Sequence, residues 1–169
     1  MSKRTKITAP RCAECGAEAV LASGIEVYPH RLDLADKVMW KCQMCPDSHC
    51  GCHEGTQRAL GRPAGPKVRD ARSKLHKMML DPLWQTADRT YEGGFESELA
   101  RTIVRGKARS RVYAFLAHRL AMTKEECHTA LFDIDQCRAA WRALQGISYA
   151  EIREWAKARE KEAKENGGS

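Results

Sequence analysis

Two short cysteine knuckles, Cys12-x-x-Cys15 and Cys42-x-x-Cys45, constrain this chain more than any other feature. Two residues between the cysteines of each pair let a tight turn present both sulfurs to one side. Two such turns, 26 residues apart, supply four soft ligands that can close a tetrahedron around one zinc ion. A centre with four thiolates has no open position, so it staples a fold and does not activate water. The competing readings are four free thiols or two disulfides. Spacing this regular, in a chain whose start carries no apolar leader, selects the metal.

Between the knuckles, residues 19–22 and 25–28 flank Ser23-Gly24 as short strands, and residues 37–41 (K-V-M-W-K) form a third that leads into the second knuckle. That layout is a zinc ribbon over residues 11–60, preceded by a basic, mobile lead-in over 1–10. The ribbon is too small, and too rich in Cys and Gly, to fold on apolar burial alone, so it needs its metal. His30, inside Tyr28-Pro29-His30-Arg31, reads as a surface loop histidine. His49-Cys50-Gly51-Cys52-His53 follows the second knuckle and is rich in possible ligands for a second ion. Adjacent residues of an extended strand point to opposite faces, however, so they cannot all serve one ion without a sharp bend.

Leu60-Gly-Arg-Pro-Ala-Gly-Pro66 is a Gly/Pro hinge, and beyond it the pattern turns helical. Val68, Ala71, Leu75, Met78 and Met79 fit a 3.6-residue period over residues 67–80, with Lys67, Arg69, Arg72, Lys74 and Lys77 on the other face. Pro82 is expected to end this helix. Residues 86–94 read as a loop, 96–104 as a short helix and 107–122 as a second amphipathic helix with Val112, Tyr113, Leu116, Ala117 and Leu120 as its stripe. Thr123-x-x-Glu126 is a capping box predicting a short helix that holds Cys127 and His128. Asp133 caps a helix closed by Gly146, and Ser148-x-x-Glu151 opens a charged last helix over 147–165, before a disordered tail at 166–169. The expected fold class is α+β: a small N-terminal zinc ribbon of short antiparallel strands, packed on or linked to a helical domain (65–146 plus the last helix) of about five short helices.

The motifs also resemble a known family. Both knuckles, Gly51-x-His53-x-Gly55-Thr56, Leu60-Gly61, Arg69-x-x-Arg72-x-x-x-His76, Asp81-Pro82-Leu83-Trp84, Tyr113-x-x-Leu116-Ala117, Cys127-His128, Phe132-Asp133 and Cys137 together are similar to the zinc-finger-containing domain of unknown function found in phage and prophage proteins. The chain departs from that pattern in a longer segment around residues 86–106, in Ala59 where the family has proline, and in Cys50. The resemblance implies one structural Zn2+ held by Cys12, Cys15, Cys42 and Cys45. It also marks His53, Arg72, His76, Asp81, His128 and Cys137 as motif members. His53, His76, Asp81, His128 and Cys137 form a possible second constellation. It is either a metal or acid–base set, or a structural one with histidines paired to Asp81 and a buried thiol at Cys137.

Net charge is +7, compatible with a polyanionic partner. The leading functional expectation is a non-catalytic, phage-type nucleic-acid binder contacting DNA or RNA phosphates through Arg69, Arg72, Lys74, Lys77, Lys107, Arg109 and Arg111. The alternatives are a module docking on a host or phage protein and a metal-dependent nuclease. No Ser/His/Asp order, phosphate-cradling Gly-rich loop or His-Glu-x-x-His is present, so no residue is assigned as catalytic and no small-molecule substrate is implied. No apolar run approaches the roughly 18 residues of a membrane helix, so no membrane role is expected and the cytoplasm is the expected location.

Overall fold

The computed structural model describes residues 7–91 and 94–166, which divide into two compact units. The start of the lead-in, Glu92, Gly93 and the tail residues 167–169 lie outside them. The architecture is α+β, with one small antiparallel sheet and a set of helices.

Unit 1 comprises the described residues up to Arg72 together with Ala130–Asp135. Its sheet has β1 (Val20–Ser23), β2 (Val38–Lys41) and β3 (His49–Gly51) in the order β1-β2-β3, both pairings antiparallel. The register sets Leu21 opposite Trp40, and Trp40 opposite Cys50. Trp40 is buried, and its indole N–H donates to the Gln57 carbonyl at 2.8 Å, so the ring packs without stranding its polar atom.

The strand expected at residues 25–28 is instead a helical turn, α1 (Gly24–Val27). Ser23-x-x-Glu26 is itself a capping box. The Ser23 amide and hydroxyl donate to the Glu26 carboxylate at 2.7 and 2.8 Å, which favours the turn over an extended segment. The same amide bond, with the Ser23 hydroxyl, holds the Glu26 carboxyl below its usual range. Gly24 is required here, because a Cβ would collide with the Leu34 carbonyl.

Gly61 is a second close approach, its missing Cβ leaving room for the backbone of Ala130. Arg62 N–H donates to the Ala130 carbonyl at 3.0 Å, and Phe132 is fully buried. These contacts make residues 130–135 part of unit 1, although they lie about 60 positions further along the chain than the Arg72 that also binds them.

α2 (Pro66–Lys74) runs from unit 1 into unit 2, which comprises Ser73–Thr129 and the residues from Gln136 onward. Pro82 does not end the helical path. A π-helical stretch over Leu75–Leu80 leads directly into α3 (Asp81–Gln85), with Pro82 in its first turn. The Asp81 amide reaches back to the His76 carbonyl, a five-residue step. The wider turn relieves the clash between a proline ring and the carbonyl four residues earlier.

The two helices expected at 96–104 and 107–122 are one helix, α4 (Glu98–Arg119), which runs through Gly106. A single exposed glycine costs a helix interior about 1 kcal/mol, which the flanking contacts offset. Arg105 forms a bidentate pair with Asp88 at 3.1 and 3.2 Å, and Ala108 and Val112 are fully buried. The segment before α4 is also more ordered than a loop, with a 3-10 turn over Ala87–Thr90 that buries Ala87.

The Thr123/Glu126 box forms, with Thr123 amide and hydroxyl both 2.9 Å from the Glu126 carboxylate. It closes one turn and opens no α-helix: the Cys127 amide returns to the Thr123 carbonyl at 3.0 Å, and a 3-10 turn over Thr129–Leu131 follows. α5 (Ile134–Leu144) and α6 (Tyr149–Asn166) follow as expected, and the Ser148/Glu151 box caps α6 at 2.7–2.8 Å.

Leu75, Leu80, Val112, Leu116, Leu144 and Ile152 are the largest aliphatic side chains of unit 2 to be fully buried. Each contributes about 1.5–3 kcal/mol by leaving water. Phe115 meets Trp155 edge-on at 5.3 Å, and Arg111 reaches Glu160 at 3.3 Å, so α4 and α6 pack along their length.

Two backbone positions invite a direct test. Gly106 has open space where a Cβ would sit, whereas Ala121, just past α4, is held at φ 51°. A non-glycine residue in that left-handed region costs about 1 kcal/mol. Gly106→Ala and Ala121→Gly are each expected to raise unfolding stability by about 0.5–1 kcal/mol, measured by thermal and denaturant melts. A loss in either variant would mean that the backbone takes a different path at that position.

Candidate metal centre

Cys12, Cys15, Cys42 and Cys45 each place a sulfur within 4.8 Å of the other three. The Cys15 and Cys42 sulfurs are 3.4 Å apart. Tetrahedral zinc with bonds of about 2.3 Å sets its sulfurs roughly 3.8 Å apart, so the cluster has the dimensions of a closed zinc site with four thiolate ligands. None of the eight cysteines of the chain is in a disulfide. When bound, the ion would supply four bonds that join the two knuckles.

Each knuckle is shaped by backbone bonds made before any metal is considered. Cys12 N–H donates to Ala17, Gly16 N–H to Cys12, Cys42 N–H to Ser48 and Ser48 N–H to Cys45, at 2.8–3.1 Å. These bonds fold both turns so that their sulfurs converge, and the Glu14 amide donates to the Cys12 sulfur at 3.5 Å. β1 and β2, by pairing antiparallel, bring the second knuckle back to the first.

The electrostatics favour a cation. The Ala17 amide, then the neighbouring Cys42 thiol, lowers the Cys15 thiol to about 7. The Cys15 sulfur beside it, then burial, pushes Cys45 up to about 12, and burial raises Cys42. One sulfur therefore ionises readily and makes the next ionisation harder. A divalent ion removes that conflict.

Around the cluster, side chains clamp the backbone. Glu14, between the first two ligands, accepts from the fully buried Ser48 hydroxyl at 2.7 Å and from the Gly65 amide at 2.9 Å. Arg62 donates to the Cys12 carbonyl at 3.0 Å and to the Arg11 carbonyl at 3.2 Å. Arg69 donates to the carbonyls of Asp47 and Ala64 at 2.7 and 2.6 Å, and Arg72 to those of Phe132 and Arg62 at 2.7 and 2.9 Å. Two arginines expected to meet phosphates thus have their guanidinium groups engaged with backbone carbonyls of unit 1. Glu14 and Arg62 were not singled out from the sequence, and nothing in their local pattern marks them.

The ligand-rich segment after the second knuckle spreads its side chains. His49 is buried with its ring edge-on to Tyr28 at 4.8 Å, whereas Cys50 donates to the Gly61 carbonyl at 3.3 Å. Burial pushes the Cys50 thiol up to about 11 and also raises Cys52. His53 lies 3.3 Å from Arg58. Among the described residues, the four knuckle cysteines are the one group of three or more Cys, His, Asp or Glu close enough to share an ion.

Of the second constellation, His53 belongs to unit 1 and the other four to unit 2. There the structure joins His76 to Asp81 at 3.2 Å, while His128 is exposed and Cys137 is buried. Tyr113, absent from that constellation, lies 3.1 Å from His76.

Zinc content of native chain purified without chelator is expected to be one ion per chain, and Cys42→Ser is expected to lose both the ion and the fold of unit 1. Cys50→Ser and Cys52→Ser should keep the ion. Two ions in the native chain would place a second site elsewhere.

His49 adds a pH dependence. Burial, with Arg69 nearby, lowers it from 6.5 to about 4, so the folded chain holds it neutral where the unfolded chain takes up a proton. Stability is therefore complete above about 6.5 and falls as pH drops toward 4. His49→Phe should fall less steeply across that window, in denaturant melts compared at equal zinc. Identical slopes would show that His49 is solvated.

A family model described as a zinc-finger-containing domain matches residues 8–147. Neither the curated proteins nor the solved structures gave a match. With its centre of four cysteines and a match across most of its length, this chain belongs to that zinc-finger-containing domain family.

Proposed function

We propose that this chain is a phage-type nucleic-acid-binding protein, acting in the host cytoplasm, in which zinc is a structural staple and the contact surface lies on unit 2. The observation that carries the reading is the charge of α4. Its 22 residues include Arg101, Arg105, Lys107, Arg109, Arg111 and Arg119 against the single acid Glu98. Arg101, Arg105 and Arg111 are neutralised by Glu98, Asp88 and Glu160. Lys107, Arg109 and Arg119 remain exposed cations, and Arg109 lies over the rings of Trp84 and Tyr113 at 5.7 and 6.0 Å.

Cations interleaved with aromatic rings suit a phosphate backbone with stacked bases. Lys74 and Lys77 are exposed on the preceding helical path and extend the same charge. Arg69 and Arg72 drop out of the proposed contacts because their guanidinium groups hold carbonyls of unit 1. No helix among the described residues is long and apolar enough to cross a membrane.

Docking on a host or phage protein is the second reading, favoured by two exposed apolar side chains of unit 1, Leu32 at 79% and Met44, inside the second knuckle, at 74%. The two readings separate by salt. Retention of mixed-sequence oligonucleotides should weaken steeply with ionic strength, each lost phosphate contact lowering the log–log slope by about 1. Lys107→Glu with Arg109→Glu should lower that slope by about 2 while zinc content is unchanged. Absence of retention at low salt would overturn the nucleic-acid reading, and salt-insensitive capture of one protein would replace it.

A further inference from the structure

A chain of hydrogen bonds in unit 2 has the form of an activated nucleophile. Asp81 Oδ1 accepts from the Trp84 indole N–H at 3.1 Å and faces His76 Nδ1 at 3.2 Å. An ionised carboxylate can only accept, so in the neutral imidazole Nδ1 carries the proton and Nε2 is the acceptor. Tyr113 Oη lies 3.1 Å from that Nε2, and in this tautomer the phenol is the donor. Nucleophile, base and orienting carboxylate thus stand in sequence, which is the arrangement that activates a hydroxyl group.

Three further observations bear on what the arrangement meets. His76 and Asp81 are 32% and 27% exposed, so the relay borders solvent. His76 sits within the π-helical stretch and Asp81 directly follows it, a distortion that often marks functional sites. The exposed Arg109 lies over both Trp84 and Tyr113, which puts a positive charge beside the phenol. Burial raises the Tyr113 phenol above its ordinary value, while Thr129 and Arg109 pull it the other way. The hydroxyl therefore rests protonated and reacts through its base.

We propose that Tyr113 is a nucleophile for phosphodiester transfer, with His76 as its general base and Arg109 as the cation that neutralises the phosphoryl oxygens. A Tyr113 Oη lone pair forms a bond to phosphorus as its proton passes to His76 Nε2. The phosphorus–oxygen bond to the leaving group breaks, the leaving oxygen keeps the electron pair, and His76 returns the proton to it. The products are a phosphotyrosyl diester and one free alcohol, with no metal or redox partner in the balance. Asp81 and Trp84 are positioning residues that fix the imidazole tautomer. The choice of a phosphodiester rests on the polyanion reading above; the nucleophile itself rests on the geometry.

The test uses the full zinc-loaded chain and bis(para-nitrophenyl) phosphate, which needs no sequence recognition. The expected result is a burst of one para-nitrophenolate per chain, with an aryl phosphate located on Tyr113 by peptide mass spectrometry. Tyr113→Phe should give no burst while keeping its zinc and circular dichroism, and His76→Ala should slow the burst by about 100-fold or more. Asp81→Asn should slow it and also shift the His76 ring-proton resonance in NMR spectra. No adduct on native chain, an adduct on another residue, or an undiminished burst in Tyr113→Phe would each overturn the proposal. Because the adduct is read on the native chain, misfolding of a variant cannot hide the answer. Oligonucleotide retention without an adduct would leave the binding function standing and remove the nucleophile; an adduct without retention would do the reverse.

Discussion

Four thiols crowded within 4.8 Å resist ionising together, and unit 1 is built around that crowding. Its sheet has strands of four, four and three residues, too short to carry a domain by burial alone. A divalent ion turns the repulsion between sulfurs into four bonds, so the energy of metal binding becomes folding energy. The Glu14 carboxylate and the Arg62 guanidinium depend on the same geometry. Each spans backbone that is distant in sequence and adjacent once the knuckles converge.

Charge serves two purposes in this chain, separated by what each arginine touches. Arg62, Arg69 and Arg72 use their donors on backbone carbonyls of unit 1. A carbonyl that water cannot reach costs about 1–3 kcal/mol if it is left without a partner, and a guanidinium with five donors can satisfy several at once. On α4 the arginines instead pair with acids or lie over rings. Net charge is silent on this division, and so is the one-dimensional spacing of basic residues. The same Arg-x-x-Arg that resembles a phosphate-binding face is a set of backbone clamps.

Local signals in the sequence were dependable where one interaction dominated. The two knuckles gave the metal ligands, the Ser148/Glu151 box gave the start of α6, and Gly146 at φ 75° closed the segment after α5. They failed where two signals competed. Ile25 to Tyr28 has the β-branched and aromatic content of a strand, yet the Ser23/Glu26 box and the close approach of Leu34 to Gly24 make it a helical turn. Pro82 is a helix stop by local rules, and a π-helical turn lets the path run through it. The pattern around Gly106 suggests two helices, at 96–104 and 107–122, and the Arg105–Asp88 pair before it with buried Ala108 and Val112 after it carries α4 across.

By itself, then, the sequence determined the ligand set, the α+β class and most helix starts, because each follows from contacts within a few residues. Only the tertiary structure decided that residues 130–135 join unit 1, that Arg69 and Arg72 hold carbonyls, and that Tyr113 meets His76. Those partners lie between 5 and 69 positions apart, and no local periodicity carries that information. Helix packing and the closure of the knuckles bring them together, and the physical reason is the same in each case. A polar group taken out of water must find a partner in space, whatever its distance along the chain.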